Sequence, residues 1–514
     1  MTGAATTHAT GWRSQRSVVA VSLAVAMVGI NTTAIGVATR GIADEFGASL
    51  TTLTWIVGGY LLTAASLSLI GGRLGDVAGR SRTFVAGIVV FAVGSLVAAT
   101  APSSDVLIVG RIIEGMGAAL LMPTSIEILA AYPPAGGARQ GFRVRGIVYA
   151  ASFGIGPLIG GLLTDHLSWR AIFWFEVVML LIAGILACPL LRVDSELPKA
   201  PTRDLRGAVL SALLVLVVVG GAFRAQSWGW VSWPAFACGV AAVVLAAALW
   251  RVESSTRHPL LHRGLLSSRI VVGANVATVA ASIGMIGLIY FFNLFAQSAA
   301  VFESTGLAIA AALVPFTGAM VLFAYLADLL ARHLGYRGPV LAGLGLAIVG
   351  FALLSVTSAS STQLDLLVPL TLCGIGAGIA NAGLTSPAVL TEPRVRLDEA
   401  AGLLSLSRFV GAAMAVAIGT STYLSVAVRI PSSMVAATGQ NPEQMAVGGS
   451  VFHGAVATLN NDLRGPFEAA ARAQTAEAFA TTMRVAAVVL TVLTLVSAWL
   501  LRPERVGAEA VSSD

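Results

Sequence analysis

Charge is scarce in this chain, and so are the residues on which catalysis and metal binding draw. Of 514 residues 11% are charged, and the 31 basic residues include a single lysine, Lys199. The three cysteines, Cys188, Cys238 and Cys373, stand singly inside apolar runs. They offer neither metal-ligand spacing nor a disulfide framework, so each reads as a packing residue. The six histidines (His8, His166, His258, His262, His333 and His453) all fall in predicted connections or termini. A histidine proton relay through an apolar interior is therefore not expected. The sequence has no cofactor loop, ATP-binding sequence, nucleophile motif or metal-ligand cluster. The expectation is a protein that is not an enzyme, takes no cofactor and no metal, and does not use ATP.

What the chain has in abundance is apolar length. Hydrophobic residues make up 56% of it, with 55 glycines and a mean hydropathy of +0.86. Runs of about 18–25 apolar residues recur from end to end, the length that crosses a hydrocarbon core as a helix. They are too long for the ~10-residue alternating strands of an outer-membrane barrel. The expected fold class is an all-α polytopic membrane protein. Helices are predicted at about 17–39, 51–70, 82–99, 104–130, 140–163, 169–191, 205–224, 233–250, 269–297, 304–328, 337–357, 364–391, 399–428 and 477–501, fourteen in total. The polar start MTGAATTHATGWRSQR carries no convincing cleavage site, so the first helix reads as an uncleaved anchor.

Arginine sets the expected orientation. With the N-terminus inside, the even-numbered connections hold 18 basic residues, among them Arg73, Arg82, Arg139, Arg143 and Arg145, and the two tails hold four more. The outer connections hold six. Such a bias places basic residues in the cytoplasm. The formal charge of +6 is then a topology signal, and no nucleic-acid partner is implied. A multi-pass protein of the plasma (inner) membrane is expected, surrounded by lipid bilayer, with both termini cytoplasmic. The longest connection, about 429–476, lies outside; SSMVAATGQNPEQ reads as loop and FEAAARAQTAEAFA as a short helix leading into the last span. The whole connection is expected to be a solvated connector rather than a lid.

Three segments carry recognisable spacing. GGRLGDVAGRSR (71–82) combines turn-forming glycines with Asp76, Arg80 and Arg82 between helices two and three. Its Gly72, Asp76, Gly79 and Arg80 fit G-x-L-x-D-x-x-G-R, the loop motif of the major facilitator superfamily, which the segment resembles closely. GIGPLIGG (154–161) sets Gly156 and Pro157 ahead of Gly160 and Gly161 in helix five, where small residues permit close packing. It resembles the antiporter motif GPxxGG of the same superfamily. RIIEGMGAA (111–119) is similar to a third element, R-x-x-Q-G-x-G in helix four. With WRAIF, AQSWGW, ESSTRHPLL and SRFVGAAMAVAIGT, the chain resembles the fourteen-helix drug:proton antiporter branch over most of its length.

That resemblance implies two six-helix bundles of inverted repeats, at 17–191 and 269–501, with two extra helices in the linker 192–268. The tails are then 1–16 and 502–514. LADLLARHLGYR (326–337) occupies the place of a second loop motif, but Asp328 is too far from Gly335 for the usual spacing. Helix one also departs from the branch pattern, which usually shows L-D-T-T-I-V-N-V-A-L-P. Here the stretch is INTTAIGVATR, so Asn31 stands for the acid, Gly36 for the later asparagine and Arg40 for the proline. Glu114 replaces the usual glutamine of helix four. In helix six Glu176 and Val178 replace asparagine and proline.

A proton-coupled carrier needs a carboxylate that binds a proton on one side and releases it on the other. Glu114 is the natural replacement for the missing acid, about 15 Å into its helix and so near the bilayer midplane. Arg111, three residues away, shares its face, so the pair can neutralise itself. Glu127 falls about 160° around the helix from Arg111 and reads as interfacial or structural. Glu176 is a second carboxylate on the path, able to face Arg170, Arg111 or a headgroup. Arg408 is expected to support the bundle ends. The family resemblance, and not periodicity, places Trp55, Tyr60, Phe291, Phe292, Phe295, Gln297 and Phe316 around the central cavity, with Asn31 beside them.

The function expected is secondary active export of lipophilic or amphiphilic compounds in exchange for protons, by alternating access. The partners are a small lipophilic substrate and protons, and a monomer is expected. One alternative is a dedicated natural-product or lipid carrier without proton coupling. Another is a membrane sensor or scaffold that has lost transport.

Overall fold

The structure is a computed structural model that describes residues 3–131, 137–192, 205–256, 267–298, 301–302, 304–334, 337–385, 397–427, 438, 440–445 and 449–502. Fourteen helices among these residues are long and apolar enough to cross a membrane, as the sequence predicts. They are α1 Gly3–Phe46, α2 Leu50–Ala78, α3 Arg80–Ala99, α4 Ser104–Ala131, α5 Gly137–His166, α6 Arg170–Ala187, α7 Leu205–Trp228 and α8 Trp233–Ser255. The second half continues with α9 Arg269–Gln297, α10 Gly306–Leu334, α11 Arg337–Leu354, α12 Leu367–Thr385 and α13 Leu397–Ala427. Two short helices follow, α14 Pro442–Met445 and α15 Gly449–Thr458, before α16 Asn461–Leu500.

Several boundaries differ from expectation. GGRLGDVAGRSR is not a loop: α2 runs to Ala78, α3 starts at Arg80, and Gly79 alone makes the turn at φ 104°. Glycine suits that turn because side-chain-bearing residues rarely adopt a positive φ. The helix α5 passes through Pro157 without a break. FEAAARAQTAEAFA is the first part of α16 and not a separate short helix. Arg145, counted with the inner connections, lies inside α5 and is buried.

Helices α1–α6 pack among themselves, as do α9–α13 and α16. The two groups meet where α2 lies on α13, α5 on α10 and α1 on α9. Small residues permit the close passages: a Cβ on Gly161 would stand 2.5 Å from the backbone of Gly306. The extra helix α7 rests on α2 and α13, where Gln226 Nε2 donates to the Ala417 carbonyl at 3.2 Å and Trp230, just beyond the helix end, donates from Nε1 to Ser421 Oγ at 2.7 Å. Its neighbour α8 buries no residue and turns Val243, Val244 and Trp250 outward. Such an outward apolar surface suits lipid.

The end that carries the α1–α2 turn is held shut by polar links across the seam. Gln297 Nε2 donates to the Gly36 carbonyl at 3.0 Å, while its Oε1 accepts from the Arg40 amide at 3.1 Å and from the Thr39 hydroxyl at 3.3 Å. Asp165 at the end of α5 accepts from the amides of Gly306 and Leu307 at 3.0 and 2.8 Å, capping α10 across the same seam. The long connection is also structured where it is described. Met445, Phe452, Ala455, Leu459, Phe467 and Ala471 form a small core of their own. Asp44 accepts from Ser450, and Gln444 donates to the Gly47 carbonyl at 2.7 Å. The described part is therefore a docked cap on the first bundle rather than a solvated connector, because its apolar residues recur closely enough to bury one another.

Each seam hydrogen bond contributes about 1 kcal/mol, so its loss shifts a closed-to-open balance roughly fivefold. Asp165→Ala removes two such bonds and is expected to raise the maleimide labelling rate of a cysteine placed at Thr39 by roughly thirtyfold. The background carries alanine at the three native cysteines. An unchanged rate would show that these links do not hold the end closed.

Candidate functional site

Four helices of the first bundle bring one basic and two acidic side chains to a common point. α4 supplies Arg111 and Glu114, one turn apart. α1 supplies Asn31, α3 Ser95 and α6 Glu176. All five are buried, with exposures of 1% or less. Their approach depends on missing side chains: a Cβ on Gly94 would stand 2.5 Å from the Glu114 amide, and one on Gly115 would stand 2.5 Å from the Tyr60 carbonyl. Glycine at both positions lets α3 and α2 close on α4.

Arg111 Nη1 donates to Glu114 Oε2 and, at 2.7 Å, to Asn31 Oδ1, while its Nε donates to the Ile56 carbonyl at 3.1 Å. Its guanidinium also lies 4.6 Å from the centre of the Tyr60 ring, a cation–π contact. Asn31 is the bridge. Its Nδ2 donates to Glu114 Oε2 at 3.1 Å and to Glu176 Oε2 at 3.0 Å. Only this amide orientation works, because the reverse would aim NH2 at a guanidinium and oxygen at two carboxylates. Ser95 Oγ donates to Glu176 Oε2 at 3.1 Å. Arg111 Nη2, Glu114 Oε1 and Glu176 Oε1 remain buried without a hydrogen-bond partner. The cluster thus leaves two acceptor atoms and one donor atom unpaired.

Residues 21–416 match the Major Facilitator Superfamily. The chain belongs to the major facilitator superfamily. It is 29% identical over 419 residues to the tetracenomycin C resistance and export protein of Streptomyces glaucescens, covering 81% of this chain and 77% of that one. It is 28% identical over 460 residues to the multidrug efflux pump LfrA of Mycolicibacterium smegmatis, covering 88% and 89%. A third relative, the multidrug resistance protein Stp of Mycobacterium tuberculosis, is 30% identical over 412 residues, covering 78% and 74%. Among solved structures, a bacterial homolog of the human lysosomal transporter Spinster, inward-facing and unoccupied, superposes with a TM-score of 0.63 at 14% identity, covering 95% of this chain and 97% of that one. The POT family transporter PepTSo superposes with a TM-score of 0.62 at 13% identity, covering 96% and 99%. At such identities the structural likeness concerns the fold alone. As a major facilitator protein the chain is a multi-pass secondary transporter and not an enzyme.

In this major facilitator fold the motif glycines act as spacers. A Cβ on Gly156 would collide with Thr33 Oγ1, and one on Gly160 would stand 2.9 Å from the Ala34 carbonyl, so both seat α5 on α1. In the first motif Gly72 is buried, and Asp76 pairs with Arg73 at 3.5 Å. Arg80 reaches Glu127 at 3.8 Å. Glu127 is fully buried beside Gly75, where a Cβ would stand 2.6 Å from its Oε2. It therefore ties α4 to the α2–α3 turn, away from the Arg111 cluster. Arg170 pairs with Glu45 at 2.6 Å, which leaves Glu176 to Asn31 and Ser95. Asp328 lies in α10, but its side chain and Gly335 are outside the described residues.

The aromatic residues expected around one cavity are dispersed. Tyr60 joins the Arg111 cluster, with Phe409 edge-on at 6.2 Å. Trp55 instead packs on Phe223 of the inserted helix α7, with ring centroids 5.5 Å apart. Phe291 stacks on Tyr423 of α13 at 6.0 Å and lines an apolar cavity of about 30 Å³ with Gly287, Met414 and Met483. Phe295 stacks on Phe479 of α16 at 4.6 Å. Phe316 lines a second small cavity with Ala280, Phe351 and Cys373. Phe292 is buried on α9, and Gln297 belongs to the seam. The family resemblance places these residues towards the centre without saying which neighbour each one meets.

Sequence reasoning missed Ser95, because a lone serine in an apolar helix carries no local signal. Asn31 was visible as a departure from a pattern, though its role as a bridge was not. Removing that bridge should be costly, since it leaves buried polar atoms unpaired. Asn31→Leu is expected to lower unfolding free energy by about 1–3 kcal/mol, read as a reduced thermal midpoint in detergent. A midpoint equal to the native value would refute the bridging role.

Proposed function

We propose that this protein exports lipophilic or amphiphilic compounds from the cytoplasm in exchange for protons, and that Glu114 and Glu176 are the exchanging carboxylates. The observation that carries the reading is the buried cluster of two carboxylates and one guanidinium bridged by Asn31. With both acids ionised it holds one negative charge in excess, and a single bound proton makes it neutral. Neutrality lowers the cost of burial in a medium of low dielectric. Loss of the proton favours an arrangement that admits water or a countercharge. A proton equilibrium is thereby tied to a conformational one.

Arg111 holds Glu114 in place and supplies the positive charge against which the proton competes. Asn31 couples the two acids, so protonation of one changes the hydrogen bond offered to the other. The substrate class draws support from relatives whose names denote resistance to, or export of, antibiotics. It also draws support from the apolar character of the described cavities. The arginine bias supports cytoplasmic termini in the plasma membrane, which puts the α1–α2 end outside. The closed links of Gln297 and Asp165 then seal the outer side.

Purified protein in liposomes with an imposed pH gradient tests the coupling. The native chain is expected to concentrate at least one compound from a panel of lipophilic neutral and cationic dyes only while the gradient lasts. Glu114→Gln and Glu176→Gln should each equilibrate the same dye without concentrating it. Equal, gradient-independent transport by all three proteins would overturn proton exchange and leave a dedicated carrier.

A further inference from the structure

A second charged group lies deeper towards the α2–α3 end, and the proton cycle does not use it. Arg145 on α5 is 1% exposed and Arg408 on α13 is 6% exposed. They sit about 12 and 16 Å along their helices from that end, well within the hydrocarbon region. Arg145 belongs to the first bundle and Arg408 to the second, so together they straddle the seam. The Arg408 guanidinium lies 4.9 Å from the centre of the Tyr149 ring, and Tyr149 is one turn beyond Arg145 on α5. Residues 145 and 149 share one face of α5, so the Arg408 guanidinium on the Tyr149 ring lies on the side of the helix that carries Arg145.

The contacts of Arg145 are all to neutral atoms. Its Nε donates to Ser125 Oγ at 2.8 Å and its Nη2 to the Met122 carbonyl at 3.4 Å, with Met122 Sδ at 3.9 Å. Its Nη1 is buried with no hydrogen-bond partner. Among the described residues no carboxylate lies within ion-pair distance of it. A buried, always-charged guanidinium beside a second one, with a donor to spare, is costly unless an anion visits. Next to the pair, Ile126 packs on Ala401 and Leu404 across the same seam, with Phe142 against them. An opening towards the α2–α3 end must part those residues, which would bring the arginines to the wall of the entry cavity.

We propose that Arg145 and Arg408 bind an acidic group, a carboxylate or phenolate, of the transported compound as it loads from the cytoplasm. This rests on the transport reading and narrows it: the preferred substrate is a lipophilic acid and not a lipophilic cation. A planar guanidinium with a free Nη1 matches a carboxylate, and Tyr149 offers a ring face for the attached aromatic or aliphatic body. Movement of the acid away from the arginines accompanies closure of the inner side. The proton cycle at Glu114 and Glu176 lies nearer the outer end of the path.

Binding to the purified full-length protein in detergent tests this without requiring transport. The probes are 2-naphthoate and its neutral amide, 2-naphthamide, titrated by calorimetry. The native protein should bind the acid roughly tenfold or more tightly than the amide, as a charge-assisted hydrogen bond in a dry site allows. Arg145→Gln should remove that preference and leave the amide's affinity unchanged. Arg145→Lys, which keeps the charge and loses the fork, should retain part of the preference and guards against a misfolded glutamine variant. Equal affinities for acid and amide in the native protein, or an undiminished preference in Arg145→Gln, overturns the proposal. Binding of chloride or phosphatidylglycerol with no response to naphthoate also overturns it, by assigning the pair to an inorganic ion or a lipid headgroup. A protein that prefers the acid yet moves no compound in liposomes refutes the transport reading alone. One that concentrates neutral dyes but ignores the acid refutes this inference alone.

Discussion

Two carboxylates and a guanidinium held where water does not reach set the terms for the first bundle. An isolated charge in such a medium costs several kcal/mol even after relaxation, so each must find its opposite and its hydrogen bonds nearby. No single helix can supply them. Arg111 and Glu114 meet on α4, but the rest of the solvation comes from Asn31 on α1, Ser95 on α3, Glu176 on α6 and a carbonyl of α2. Four helices must therefore approach α4 or one another closely. That requirement explains the absence of side chains at Gly94 and Gly115, where a Cβ would meet backbone. The small residues of the sequence are the condition for the charged ones.

The seam between the bundles obeys a different economy. At the α1–α2 end it uses a few polar links to backbone groups, from Gln297 and Asp165, each weak enough to break in a conformational cycle. Between them lie glycine contacts such as Gly161 on Gly306, which fix the distance without adding much to the strength. The docked cap reaches from the second bundle to Asp44 and Gly47 of the first, so it adds to closure at that end. α7 spans α2 and α13 from the side, while α8 touches α7 and otherwise faces outward. The inserted pair thus braces one flank of the seam without entering the charged path.

Helix number and type were legible because a stretch of twenty apolar residues has one physical destination. The Arg111–Glu114 pair was legible for a similar reason: three residues on one helix fix their mutual position whatever the tertiary structure. Glu176 could be placed at a depth, but its partner could not be chosen, since that depends on the rotation of α6 against α1 and α3. The aromatic wall was the poorest reading. Trp55, Phe295 and Phe316 are all inward, yet their partners are Phe223, Phe479 and a cavity within the second bundle. Arg145 falls at the start of the predicted helix 140–163 and counts with the inner connections, because positive-inside counting treats arginines near a helix start as exposed. Its burial arises from Met122 and Ser125 of α4, which no local pattern indicates.

The charge count is consistent with Asn31 at the place where the branch pattern that helix one resembles has an acid. With an aspartate there, Arg111 would face three carboxylates, and two of them would have to hold protons for the cluster to be neutral. Asparagine keeps the shape of the acid, supplies the oxygen that Arg111 needs and turns its other half into a donor for both glutamates. The acids stand on α4 and α6, and the first helix connects them through Asn31. In that arrangement a proton arriving at either glutamate is sensed by the other through one amide. On the proposed proton-exchange reading, the coupling group is the pair with its bridge rather than any single carboxylate.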